Sequence, residues 1–324
     1  RQTLCALTHN TKCNCSVSVI YFFIISGFVL TYAHKTRHKF IYFFLLRLGR
    51  LWPLHIFTIF IMVAIYTYNK HHMGYVAGAY IFNWKTILQN IFFLHGVTPY
   101  QFPLINDPSW SISIEFWASL LIPLIFIRIK PLYRLISSII FIISLCIHSS
   151  SGFVDMSLDG MFPFFLASST IMLGSSLYSL LTPERIKKIN TKNGFECFLW
   201  ICFATCLIGI YGQTHNKLDY LYIFPFIPLM LIDFQPDSSL IKKFFYSQIV
   251  QFFGFISFPL YLIHSSAIII GFEYRTDNVL LSIFMGATFS IMSAYLLAAF
   301  FDIPLYQFLK NGIKKLDARK KTSN

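Results

Sequence analysis

The sequence predicts an all-α membrane protein, a polytopic bundle of about nine transmembrane helices. One observation is the composition: of 324 residues, 56% are hydrophobic and only 12% are charged, and the mean hydropathy is +0.62. The other is that apolar stretches long enough to cross about 30 Å of hydrocarbon recur along the chain. They lie at 16–33, 51–68, 110–127, 133–148, 161–181, 195–211, 219–233, 250–271 and 279–301.

One further apolar stretch, 86–97, differs from these because Gln89, Asn90 and His95 interrupt it. Polar side chains at that spacing favour a re-entrant or interfacial helix over another span. The sequence therefore predicts a short helix here that does not cross the membrane.

Basic residues are distributed unequally between alternate connections. Twenty of the 26 lysine and arginine residues fall on one side, which includes 34–50 and the tail at 310–324. The positive-inside rule places that side in the cytoplasm, with the protein in the inner, or cell, membrane. We expect membrane lipid as a partner and no nucleic acid, because the basic residues lie in short loops and not on a soluble face.

The cysteines predict neither a disulfide framework nor a metal site. Cys197, Cys202 and Cys206 share one apolar stretch, which is typical of packing residues. A second group near the N-terminus has a spacing that matches no familiar zinc pattern, and it consists of Cys5, His9, Cys13 and Cys15. We expect no metal.

Ser26 and Gly27 stand side by side within the apolar stretch "FFIISGFVLTYA". Lipid offers no hydrogen bonds and favours neither residue, so the pair is expected to face other helices or a wet cavity. The two alternatives are a close helix contact and a functional lining.

The segment "RLGRLWPLH" places Arg47 and Arg50 three residues apart, on one helical face at the entry to a span. They could be interfacial anchors whose charged ends reach the headgroups. They could equally form a bidentate clamp for phosphate or carboxylate. Lys35 and its basic neighbours would add to a surface that suits a polyanion such as a nucleotide or coenzyme A.

The segment "NDPSWSISIEFW", 106–117, predicts a helix that Ser109 caps, with Trp110 at the membrane interface. Glu115 then lies about one turn inside the apolar stretch. A carboxylate at that depth is expected to face a partner or a water-filled cavity.

Two more polar groups lie in the last predicted spans. His264, in "FISFPLYLIHSSA", is either a packing group or a functional residue. Asp302, in "FFDIPLYQFLKNGIKK", is expected to neutralise a neighbouring arginine before the basic tail.

Taken in order from residue 20 to 315, these segments resemble the acyltransferase-3 family of polytopic membrane acyltransferases. The resemblance implies transfer of an acyl group, usually acetyl, from cytosolic acyl-coenzyme A to a hydroxyl of a cell-surface glycan or lipid-linked sugar in the cell envelope. It implies ten spans in a complete relative. The implied cofactor-binding residues are Arg47, Arg50, Lys35, Ser26 and Gly27, the implied substrate-binding residues are Trp110 and Ser109, and the implied catalytic residues are Glu115 and His264.

The sequence departs from the family at its N-terminus. Family members separate an arginine and the presumed catalytic histidine by ten residues in the first span, whereas seven residues separate Arg1 from His9 here. We therefore interpret 1–15 as a remnant or mis-assigned segment, with His9 as the candidate base, 16–309 as the membrane domain and 310–324 as a basic cytoplasmic tail. Three functions remain open: an acyltransferase, an inactive relic of one, and a transporter or flippase for a lipid-linked or small polar solute.

Overall fold

The computed structural model describes residues 15–35, 39–73, 83–97, 104–148, 161–181, 194–211, 217–273 and 279–322. Across these ranges the chain is helical, and no strand occurs in them. The first helices are α1 (Cys15–Lys35), α2 (Phe40–Met73), α3 (Trp84–Ile91), α4 (Ser109–Ser119), α5 (Leu121–Leu124), α6 (Pro131–His148) and α7 (Phe162–Leu180). The later helices are α8 (Gly194–Tyr211), α9 (Ile223–Leu229), α10 (Leu240–Phe245), α11 (Gln248–Glu273), α12 (Val279–Leu297) and α13 (Ile303–Thr322).

Seven segments of the described chain are long and apolar enough to span a membrane. They are Val17–His34, Phe40–Asn69, Ser109–Arg128, Pro131–His148, Gly194–Tyr211, Gln248–Ile270 and Leu281–Lys315. Each contains or overlaps a stretch that the sequence predicts to span. The all-α polytopic fold class is confirmed.

The other two predicted spans have different outcomes. Stretch 161–181 forms α7, a helix of 19 residues whose five serines and one threonine lower its hydropathy. Stretch 219–233 is divided between the 3₁₀ turns Lys217–Tyr222 and Ile232–Phe234 and the short helix α9, which contains Pro228. Proline removes a backbone donor and disfavours a continuous helix. The stretch 86–97 forms α3, which is too short to span, as predicted.

The chain forms two compact units. Unit 1 comprises α1 and α5 to α10, and α1 packs along α7. The two helices approach at Gly27 and Gly174, where an added Cβ would overlap the carbonyl oxygen of Ile171 or of Ile24. Close contacts of this kind drive helix association inside membranes, where apolar burial does not distinguish protein from lipid.

Unit 2 comprises α2, α3, α4 and α11 to α13. Helices α11 and α12 pack against each other, and α2 packs against both α11 and α13. One apolar cluster joins α11 to α12 and to the π-helical turn Ala298–Asp302, and it contains Ile256, Ile263, Ala294 and Ala298. Polar side chains occupy the interior between α2, α3 and α4, and these form the candidate site.

Candidate functional site

Six of the predicted site residues belong to unit 2: Arg47, Arg50, Ser109, Trp110, Glu115 and His264. Ser26, Gly27 and Lys35 belong to unit 1, and the side chain of Lys35 lies outside what the structure describes. His9 also lies outside the described residues. The roles of His9 and Lys35 therefore stay predictions.

Arg47 on α2 and Glu115 on α4 form a buried ion pair. Arg47 Nη2 lies 2.7 Å from Glu115 Oε1, and their side chains are 9% and 1% exposed. Arg47 Nε also donates a hydrogen bond to Ser119 Oγ at 3.2 Å. Since Glu115 and Ser119 are one turn apart on α4, a single face of that helix holds the guanidinium. Glu115 thus faces protein and not lipid.

Arg50 is held differently, one turn along the same helix. Its Nη1 lies 2.5 Å from Asp302 Oδ2, so Asp302 neutralises an arginine as predicted. The guanidinium carbon lies 4.7 Å from the ring centre of Phe258 and 5.5 Å from that of Tyr306, within cation–π range. The Arg50 side chain is 31% exposed, whereas Arg47 is buried. The two arginines therefore hold separate carboxylates, and Arg50 is the more accessible of the pair.

A buried histidine layer lies further along α2. The His55 and His95 rings are stacked with centres 5.8 Å apart. His55 Nε2 lies 2.8 Å from the Asn90 carbonyl oxygen, and His95 Nε2 lies 3.1 Å from that of Ser109. A carbonyl can only accept, so the His55 proton lies on Nε2 and leaves a lone pair on Nδ1. That Nδ1 is buried without a hydrogen-bond donor among the described residues.

His95 lies between α3 and α4, outside the spanning helices. Burial lowers the pKa of His95 to about 4, although hydrogen bonds to the Ser109 and Gln89 carbonyls act in the opposite direction. Burial therefore favours the neutral imidazole near pH 7, in which one ring nitrogen carries the proton and only one of these two carbonyls receives it.

Asparagine side chains tie this layer to the surrounding backbone. Asn90 Oδ1 accepts from the Ile105 N–H at 3.2 Å, and Asn106 Nδ2 donates to the Leu262 carbonyl at 2.9 Å. The sequence contained a signal for the layer, because His55 is an ionisable residue inside a predicted span. What the sequence could not supply is the pairing of His55 with a second histidine 40 residues away.

His264 lies on α11 one turn after Tyr261, and the centres of the two rings are 6.0 Å apart. Its Nδ1 lies 2.7 Å from the Tyr261 carbonyl oxygen of the preceding turn, which places the proton on Nδ1 and the lone pair on Nε2. Ser111 Oγ and Tyr261 Oη lie 2.6 Å apart. His264 is half-buried, so its ring is more accessible than the fully buried His55.

One prediction about α4 needs correction. Ser109 does not cap α4: Pro108 occupies the N-cap position, and Ser109 Oγ donates to the Asn106 carbonyl at 2.6 Å. Of the two alternatives for Gly27, the structure agrees with the close helix contact, because the backbone of Ile171 fills the space that a side chain would take. Its neighbour Ser26 is buried, and Trp110 is half-buried.

Comparison with known proteins gives the family. The acyltransferase-3 family model, described as an acyltransferase domain, matches residues 8–301. Acyltransferase MdmB of Streptomyces mycarofaciens is 28% identical over 134 residues, which are 40% of this chain and 33% of that protein, so the match spans about a third of the relative's length. No solved structure matches the chain. Because the family model covers most of the sequence, the chain belongs to the acyltransferase-3 family of membrane acyltransferases.

Proposed function

We propose that the protein moves an acyl group, most simply acetyl, from cytosolic acyl-coenzyme A to a hydroxyl of a cell-surface glycan or lipid-linked sugar. The observation that carries this proposal is the family match over residues 8–301. The interior of unit 2 supports it, because ionisable side chains inside a membrane protein normally serve a substrate or an ion path. In this proposal the protein lies in the inner membrane with its C-terminus in the cytoplasm.

Arg50 is the residue we assign to the phosphates of acyl-coenzyme A. It retains exposed surface beside its contact with Asp302, and a guanidinium suits phosphate through its fixed fork of donors. Arg47 is assigned a positioning role, since Glu115 and Ser119 already hold it in the interior. In this proposal Arg50 contacts the ligand, and Arg47 has a structural role.

The chemical step needs a base for the acceptor hydroxyl. His264 suits this role because its Nε2 lone pair can take the hydroxyl proton while Nδ1 stays bonded to Tyr261. As the proton leaves, the oxygen attacks the thioester carbon, a carbon–oxygen bond forms, and the carbon–sulfur bond breaks. Coenzyme A then departs as a thiolate and takes up a proton. His9 remains the candidate that the family resemblance implies.

A transfer assay tests the proposal. Purified protein in lipid nanodiscs would receive acetyl-coenzyme A labelled in the acetyl group together with an extract of lipid-linked sugars, and base-labile ester label would be counted. His264→Gln should lower the rate by about 10²–10⁴-fold, the range for loss of a general base, and should leave coenzyme A binding unchanged.

His148→Gln is the matched control. His148 also bonds its Nδ1 to a carbonyl of its own helix, that of Ser144, but it lies exposed at the end of α6. Its replacement should leave the rate unchanged. If His264→Gln keeps the wild-type rate, the base assignment is wrong. If the wild type moves a solute across a vesicle membrane and acylates nothing, the protein is a transporter.

A further inference from the structure

A second cation lies near the guanidinium of Arg50. Lys310 is on α13, and its Nζ lies 5.7 Å from the ring centre of Tyr306. The guanidinium carbon of Arg50 lies 5.5 Å from the centre of the same ring. Both distances are within the range of about 6 Å for a cation–π contact, so one aromatic ring holds two positive groups close together. Arg50 is on α2, and both helices belong to unit 2.

The packing of α2 against α13 fixes this arrangement. A Cβ added to Gly49 would lie 3.5 Å from Leu309 Cδ1, so the residue before Arg50 lies beside the residue before Lys310. Tyr306 and Lys310 are four residues apart and therefore share one face of α13. The ring that contacts Arg50 is thus also the ring next to the lysine.

The charge around this ring is positive. Asp302 offsets the charge of Arg50, whereas no carboxylate forms an ion pair with Lys310 in the part of the chain that the structure describes. Arg50 has 31% of its side chain exposed, and Tyr306 and Lys310 are half-buried, so all three reach the surface of unit 2. Two cations near one ring repel each other, and an anion between them would offset that repulsion.

The alternative is that Lys310 is only an interfacial anchor. It lies near the end of the apolar segment Leu281–Lys315, where a lysine commonly extends its ammonium group to the lipid headgroups. An anchor does not require a second cation beside it, however. The contact that Lys310 shares with Arg50 on Tyr306 favours a role in binding an anion.

We propose that Arg50, Tyr306 and Lys310 form one two-cation site, which binds the diphosphate of acyl-coenzyme A. The assignment of Tyr306 and Lys310 rests on the proposed function, in which Arg50 contacts the phosphates. Arg50 supplies a fixed fork of donors, Lys310 supplies a compact charge, and the Tyr306 hydroxyl can donate to a phosphate oxygen. A diphosphate has two adjacent anionic groups, so it suits two cations better than a single phosphate does.

The test is calorimetric titration of the full chain, purified in a neutral detergent, with three separate ligands. Coenzyme A contains the diphosphate, inorganic diphosphate is the anion alone, and pantetheine is the thiol arm without phosphate. The wild type should bind the first two, and pantetheine should bind much more weakly. Lys310→Ala should raise the Kd for coenzyme A and for diphosphate by about 10-fold to 100-fold, the loss expected for one charged hydrogen bond.

Tyr306→Leu tests the shared ring. It removes the aromatic face that both cations contact but leaves both charges in place. The Kd for coenzyme A should rise by about two- to fivefold, the range for an exposed cation–π contact. Pantetheine binding should not change in either variant.

Lys315→Ala is the matched control. It removes the same charge from the same helix, but five residues further along, where the side chain is exposed and lies on a different face of α13. The Kd for coenzyme A should stay at the wild-type value. If Lys310→Ala does not fold, Lys310→Gln replaces it, because glutamine keeps a polar side chain without the charge, and the same loss is expected.

The outcomes separate the two-cation site from the proposed function. If the wild type binds coenzyme A and Lys310→Ala binds it equally well, or Lys315→Ala weakens it as much, Lys310 is an anchor; the site is then wrong and the proposed function stands. If the wild type binds diphosphate through Lys310 but does not bind coenzyme A, the site stands and the proposed acyl donor is wrong. If the wild type binds neither ligand, the site is wrong.

Discussion

Arg47 and Arg50 show how two identical side chains on one helix acquire different environments. Arg47 lies 2.7 Å from Glu115 in the interior of unit 2, and Arg50 reaches Asp302 with 31% of its side chain still exposed. A buried ion pair is costly to break from one side, because the remaining partner keeps its charge without compensation. Loss of either carboxylate should therefore lower the free energy of unfolding strongly, because the arginine beside it loses its opposite charge.

Glu115→Gln is predicted to destabilise the protein strongly. It leaves Arg47 buried with a neutral partner, and removing one member of a buried pair costs about 3–5 kcal/mol. The measurement is the free energy of unfolding in detergent. The double variant Arg47→Gln with Glu115→Gln should recover part of the loss, since no isolated charge remains.

Asp237→Asn is the control for that prediction. Asp237 pairs with Lys242 at 2.8 Å in unit 1, but its side chain is 98% exposed, and surface pairs contribute little. Stability should barely change. Equal effects of Glu115→Gln and Asp237→Asn would contradict the assignment of a buried pair.

At the scale of elements, the contact between α1 and α7 depends on two glycines. Gly27→Ala is predicted to destabilise unit 1 by about 1–3 kcal/mol, because the new methyl group meets the backbone of Ile171 and forces the helices apart. Gly286→Ala on α12 is the matched control, since no atom lies within 4 Å of its added Cβ. Thermal unfolding of both variants checks this. A Gly27→Ala protein that unfolds at the same temperature as the wild type would contradict the close contact.

Hydropathy predicted most elements because a helix in lipid must satisfy its own backbone and present apolar side chains. It failed over 219–233, an apolar stretch that forms 3₁₀ turns and a helix of seven residues with Pro228 inside it. Hydropathy also could not predict that the helices of Gly27 and Gly174 approach each other at these two residues. A glycine in a span indicates that something approaches closely, but the identity of the neighbour depends on the tertiary fold.

At the scale of the whole molecule, the order of the motifs was sufficient to indicate the family, and the match over residues 8–301 confirms it. The sequence did not indicate the division into two units. Ser26 and Gly27 fall in one unit and Arg47 and Glu115 in the other. Ser26, Gly27 and Glu115 lie in similar apolar stretches and Arg47 lies at the entry to one, so composition does not separate the two units.

The orientation of the molecule is predicted from its basic residues. Lys320→Cys, in a background without native cysteines, should react with a membrane-impermeant thiol reagent only after cells are permeabilised, because the basic tail is expected in the cytoplasm. Lys217→Cys is the control: the connection 212–218 is expected on the outer side, opposite the basic tail, so this residue should react in intact cells. Strong labelling of position 320 in intact cells would reverse the orientation.

The central claim, that this membrane protein accepts acyl-coenzyme A at Arg50, is tested most directly by calorimetric titration of coenzyme A into the purified protein. Arg50→Lys should weaken binding by about 1–2 kcal/mol, because lysine keeps the charge but loses the two-point contact, and Arg50→Ala by about 1.5–3 kcal/mol. Lys242→Ala, a basic control already paired with Asp237, should bind as the wild type does. The claim is contradicted if the wild type binds no coenzyme A, or if Lys242→Ala weakens binding as much as Arg50→Ala.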